Sequence, residues 1–188
     1  MDAKRKLVVT ENISANGVIE FTDPWFDPSD QGDATDLMAV MRAQMAAEGA
    51  LLLGRQTFED FRSFWPLQTD DDTGITAHLN QVGKYVLSST MTDPEWQNTT
   101  VLRGDLLDEV RSLMAEGDGE LGITGSISIV HALLDAELVD ELRLFVYPAL
   151  SSRGRNLVPD GLDMTSLVLQ ESQAFRSGVV LLTYARGS

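Results

Sequence analysis

Short apolar runs alternate along the chain with stretches of helical periodicity. Leu7-Val8-Val9-Thr10, continuing to Ile13, reads as a first strand. Leu37, Val40, Met41 and Met45 recur at helical spacing and predict an amphipathic helix over about 34–47, with Asp33 as its N-cap. Ala50–Leu53 is wholly apolar and stops at Gly54, as suits a strand buried on both faces of a parallel sheet. A helix pattern opens at Arg55 and ends at Trp65-Pro66, and a shorter helical piece follows around Ile75–Leu79. Tyr85–Leu87, Thr99–Leu102 and Leu121–Thr124 read as further strands. Between the last two, Leu106, Val110, Leu113 and Met114 share one helix face; after them a helix carries Ile127, Val130 and Leu134 inward. Glu141–Tyr147 is a long strand closed by Pro148. Leu167–Phe175 and Val179–Tyr184 flank a glycine-containing turn and predict an antiparallel hairpin. The alternation defines one α/β domain over 1–188, its mostly parallel sheet ending in an antiparallel pair.

Three strand ends look alike: Leu53-Gly54-Arg55, Leu87-Ser88-Ser89 and Thr124-Gly125-Ser126. In an open parallel sheet ligands lie in the crevice outside the carboxyl ends of the strands. Small residues there allow close approach, a helix start offers unpaired N–H groups to an anion, and Arg55 adds a planar charged fork. Together they point to a phosphorylated nucleotide. Neither a Gly-x-Gly-x-x-Gly fingerprint nor a Gly-x-x-x-x-Gly-Lys loop is present, so a standard dinucleotide or P-loop assignment fails.

Composition narrows the chemistry. The chain has no cysteine and two histidines, His78 and His131, which removes thiolate catalysis, disulfides and cysteine- or histidine-rich metal sites. No metal site is expected; the run Asp70–Asp72 reads as a solvated loop. With 29 acidic and 14 basic residues the net charge is −15, a field that repels nucleic acid and anionic membranes. Neither is expected as a partner. Met1–Lys6 leads into a strand without a signal-peptide core, and the cytoplasm is the expected location.

The residues around these turns carry a resemblance. Ser14-Ala15-Asn16-Gly17-Val18-Ile19, Leu53-Gly54-Arg55-Gln56-Thr57-Phe58-Glu59, Val86-Leu87-Ser88-Ser89-Thr90, Ile123-Thr124-Gly125-Ser126, Leu138-Val139-Asp140-Glu141-Leu142-Arg143-Leu144 and Pro148 with Gly154 span nearly the whole chain. In combination they resemble the dihydrofolate-reductase-like superfamily, nearest the C-terminal reductase domain of the bifunctional riboflavin-biosynthesis deaminase/reductase. The resemblance implies a three-layer α/β fold and a stand-alone reductase in a homodimer. Hydride would pass from NADPH to a small heterocyclic or ribosylamino-pyrimidine-like substrate. A non-catalytic nucleotide-binding module and a folate reductase are the alternatives.

It further implies that Arg55 and Thr57 hold cofactor phosphate beside Gly54, that Gly125, Ser126 and Ile127 hold the pyrophosphate, and that Ser88 and Ser89 lie near the adenosine 2′-phosphate. Relatives often carry a basic residue beside that serine; here Thr90 follows, and Arg103 at the next strand end is the candidate replacement, or a plain loop arginine. Asn16-Gly17 is either the family's substrate loop or a tight turn. Folate reductases use a carboxylate on the first helix, for which Asp36 and Asp33 (with Asp30 nearby) are candidates, each equally explained by capping. Pro24-Trp25 is similar to a folate-reductase loop. Phe58 is a candidate for lining the substrate pocket, and Arg153 for meeting a substrate phosphate or solvating a loop.

Overall fold

The computed structural model describes residues 5–21, 33–163 and 166–187. Asp30 and Pro24-Trp25 lie outside them. In chain order the elements are β1 (Leu7–Ser14), α1 (Thr35–Ala47), β2 (Glu48–Gly54), α2 (Arg55–Phe64), a 3₁₀ turn (Trp65–Leu67), α3 (Ile75–Gln81), β3 (Gly83–Leu87), β4 (Thr99–Leu102), α4 (Leu106–Ala115), β5 (Glu120–Ile123), α5 (Ile127–Asp135), β6 (Glu141–Tyr147), β7 (Leu167–Ala174) and β8 (Val180–Arg186).

One sheet takes the order β4-β3-β2-β5-β1-β6-β8-β7. Every pairing from β4 to β6 is parallel, and the β7–β8 hairpin joins β6 antiparallel. Helices cover both faces, which is why Ala50–Leu53 contains no polar residue. Leu52 packs with α4 and α5 on one face, whereas its neighbours Leu51 and Leu53 meet Phe58, Leu79, Val86 and Trp96 on the other. A third cluster joins Leu37 of α1 to Phe145, Tyr147 and Leu181. The result is the three-layer, mostly parallel fold with a terminal antiparallel hairpin that the pattern predicts.

Local differences have local causes. Ala34, not Asp33, occupies the N-cap of α1; Asp33 accepts from the Thr35 N–H at 3.0 Å from one residue further upstream. On α5 the inward set is Ile127, Ile129, Val130 and Leu133, with Leu134 half-buried, because 3.6-residue periodicity places Leu133 nearer the middle of the apolar stripe. Phe58 does not line a pocket: it is fully buried beneath β2, 5.7 Å from the Trp96 ring. Lys84, 1% exposed, spends its ammonium on the carbonyls of Leu79 and Val82 at 2.6 and 3.1 Å, closing the end of α3. Among the described residues no helix is long and apolar enough to cross a membrane.

Candidate active site

Because β2 and β5 are parallel neighbours, the turns that follow them meet. The N–H of Gly54 donates to Ser126 Oγ at 2.8 Å, and the N–H of Ser126 donates to Thr57 Oγ1 at 2.9 Å. Ser126 holds φ +50°, left-handed backbone that a residue with a Cβ adopts only when its surroundings over-determine it. Gly125 before it has φ +60°, and a Cβ there would lie 3.1 Å from Thr57 Cγ2, so the close turn needs glycine. These bonds place the starts of α2 and α5 side by side at a groove of about 790 Å³, lined by Gly54, Arg55, Thr57, Gly125, Ser126 and Ile127 among others. The first N–H groups of each helix have no intrahelical acceptor, which suits the groove to an anion.

A second hollow, about 430 Å³, adjoins the groove, with Arg55 and Leu87 lining both. Ser88, Ser89, Thr90 and Arg103 complete it. The Arg55 guanidinium bridges Glu59 Oε1 at 2.8 Å and Thr90 Oγ1 at 2.7 Å. Arg103 donates to the carbonyl of Ser89 at 3.0 Å and to that of Met91. The Ser88 hydroxyl accepts from Met91 N–H at 3.1 Å and closes its own turn, leaving Ser89 as the exposed member. The three strand ends therefore open on one continuous surface.

The groove runs into an apolar cavity of about 370 Å³, sharing Ile19, Phe21, Phe61 and Gly125 with it. The cavity lies where the helix layer parts between α1, which presents Met41, Gln44 and Met45, and α2–α3, which present Phe61, Ile75 and Leu79. Its polar lining includes two carboxyls the sequence reading did not single out, Glu48 and Glu11. Glu48 meets His78 Nε2 at 2.6 Å. Glu11, in the middle of β1, is 3% exposed. It accepts from the Gly125 N–H, and loss of solvent pushes its carboxyl up to about 8; its Oε1 has no hydrogen-bond partner. A charge among Leu7–Ile13, in a strand destined for the sheet centre, is the signal that could have found it, since unpaired acids are almost never fully buried.

The remaining predicted residues lie elsewhere. Asp33 pairs with Arg176, and Asp36 Oδ2 accepts from the Arg176 N–H at 3.1 Å, so both face the β7–β8 turn and neither lines the cavity. Asn16 spends its side chain on the loop at Ser151, accepting from its N–H at 3.0 Å and donating to its carbonyl at 2.7 Å, and Gly17, φ +93°, completes the turn. Arg153 belongs to the same loop, where its carbonyl accepts from Ser151 Oγ. Arg155 reaches the groove but is held by Glu20 at 2.7 Å.

Solved structures share this fold. The chain superposes on a putative riboflavin biosynthesis protein from Shewanella sp. PV-4 with a TM-score of 0.78 at 23% identity, covering 97% of this chain and 99% of that one. A pyrimidine reductase-like protein from Corynebacterium diphtheriae gives 0.68 at 16% identity, over 98% and 92%. Dihydrofolate reductase from Enterococcus faecalis, solved with NADP(H) and RAB-propyl, gives 0.64 at 19%, over 97% of each. The fold is that of the dihydrofolate-reductase-like superfamily. Residues 5–181 match the RibD C-terminal domain, and the chain belongs to that family. A curated relative, the uncharacterized protein YyaP of Bacillus subtilis (strain 168), is 27% identical over 136 residues, 71% of this chain and 72% of its own length.

Proposed function

We propose that this chain is an NADPH-dependent reductase of a small heterocyclic substrate. The observation that carries the reading is the stitched pair of helix starts, Gly54–Ser126 and Ser126–Thr57, opening on a groove that leads to an apolar cavity. Membership of a family with reductases among its structural neighbours supports it. Bound there, NADPH would supply hydride. Gly125, Ser126 and Ile127 would hold its pyrophosphate on the start of α5, and Arg55 and Thr57 its phosphate at the start of α2. Arg55 and Arg103 flank the hollow in which the charge of a 2′-phosphate would be met.

The cavity takes the acceptor's ring. Its walls are largely apolar, and a flat ring would lie among Phe61, Trp65 and Met41. No lysine or arginine lines it among the described residues, so a phosphate on the substrate, such as that of a ribosylamino-pyrimidine, would stay outside in the groove. The same reading includes a cytoplasmic setting and a homodimer. Leu167, Val168 and Leu169 are about half exposed on β7, the edge of the sheet, where a second copy would cover them. Light scattering that returns only the 20.6 kDa species would refute the dimer.

The activity is tested by following NADPH oxidation with the phosphoribosylamino-pyrimidine intermediate and with dihydrofolate. Turnover of either supports a reductase and identifies its acceptor class. NADPH that binds without reducing either acceptor would favour a nucleotide-binding module.

A further inference from the structure

We propose that Glu11 is the proton donor of this reductase, presenting an undissociated carboxyl to a ring nitrogen of the acceptor lodged in the cavity. The inference rests on the reductase reading above. It starts from an unsatisfied atom. Glu11 sits on β1 and lines the cavity; the N–H of Gly125 donates to its carboxyl, and its buried Oε1 has no hydrogen-bond partner. Buried polar atoms are nearly always paired, so an orphan on a carboxyl whose residue lines a cavity points to a ligand that completes the set.

Geometry decides which half of the pair the ligand supplies. A neutral carboxyl has one acceptor oxygen and one O–H donor. With Gly125 donating to the carboxyl, the O–H is the half left without a protein partner, and a ligand in the cavity that Glu11 lines would have to bring it a lone pair: a ring nitrogen or a carbonyl oxygen. Burial favours this neutral form, consistent with the raised Glu11 pKa. Gly125 belongs to both the cavity and the groove, so Glu11 stands at their junction, where a ring in the cavity would meet a nicotinamide in the groove.

The step balances. As the carbon of a ring C=N bond gains the hydride supplied by reduced nicotinamide, the π electron pair moves onto nitrogen. The Glu11 O–H bond breaks and its proton forms the new N–H bond. Glu11 is left as a carboxylate and recovers a proton from solvent when product leaves. Among the described residues, the other titratable groups facing the cavity are Glu48 of β2 and His78 of α3, bonded to each other at 2.6 Å. From α1 come uncharged Met41, Gln44 and Met45, from β6 Phe145, and from the end of β5 Thr124 and Gly125.

The test uses isoquinoline, a neutral bicycle offering one ring nitrogen, titrated by ligand-observed NMR between about pH 6.5 and pH 9.5. Wild type should bind with constant affinity to about pH 8 and then lose about tenfold per pH unit. Glu11→Gln, whose amide still donates, should bind with no pH dependence; Glu11→Leu should bind at least about tenfold more weakly. His131→Gln, at a residue that lines neither the cavity nor the groove, should keep the wild-type profile. No binding, or the same profile in Glu11→Gln as in wild type, would overturn the proposal. With whichever acceptor is reduced, Glu11→Gln should lower kcat by about 10²–10⁴-fold with NADPH affinity unchanged. Equal turnover in both proteins would sink the role of Glu11 alone, whereas failure of NADPH to bind either would sink the reductase reading.

Discussion

The carboxyl of Glu11 ties the stability of the fold to pH in a direction opposite to that of most acids. Its pKa rises from 4.5 to about 8 on folding because burial removes the water that would solvate its charge. The folded chain therefore holds this proton more tightly than the unfolded chain. The contribution is complete below about pH 4.5 and is lost as pH rises toward 8. At about 1.4 kcal/mol per pH unit, the whole interval is worth about 5 kcal/mol, a ceiling that falls as water enters the cavity to solvate the charge. Glu11→Gln keeps the shape and cannot ionise. Urea unfolding of both proteins, compared at steps between about pH 5 and pH 8.5, isolates the Glu11 contribution because every other group cancels. The variant should gain up to about 4 kcal/mol on wild type across that range, with equal slopes in urea. A difference that stays constant with pH would refute the buried, neutral state of Glu11 and remove the basis for its role as a donor.

Two further outcomes follow from the same contacts. Ser126→Ala deletes the acceptor for the Gly54 N–H and should cost about 1–3 kcal/mol in urea unfolding; it should also weaken NADPH binding, since the start of α5 loses its anchor. Arg143 is 9% exposed and bonds both oxygens of Glu120, at 2.8 and 2.9 Å, and Glu141 at 2.7 Å. Arg143→Ala strands two partly buried carboxylates and should cost about 3–5 kcal/mol, measured in the same way.

The sheet was legible because burial on both faces leaves its mark on one segment at a time. Ala50–Leu53 can be read as a central strand with no knowledge of what covers it, and the ends at Gly54, Ser88 and Gly125 follow once the strands are placed. Bonds between turns are another matter. Nothing local to Thr57 shows that its hydroxyl serves Ser126, 69 residues away, because that pairing depends on β2 and β5 being neighbours. The acids show the limit most clearly. Asp33 and Asp36 attract attention by standing at a helix start, but side-chain direction there is set by the hairpin turn at Arg176, over 100 residues on. Glu11 looks like an ordinary polar position in a strand until the gap between α1 and α3 reveals what its carboxyl faces. Phe58 and Phe61 lie three residues apart on one helix, and only the packing of Trp96 decides that the first is core and the second is wall.

The proposal that the strand ends converge on one groove for a phosphorylated coenzyme is tested most directly by calorimetric titration of NADPH into wild type and Arg55→Ala. Removing the guanidinium that lines both groove and hollow should cost about 1.5–3 kcal/mol of binding, an affinity loss of about 10- to 150-fold. An unchanged dissociation constant, or no binding by wild type, would contradict it.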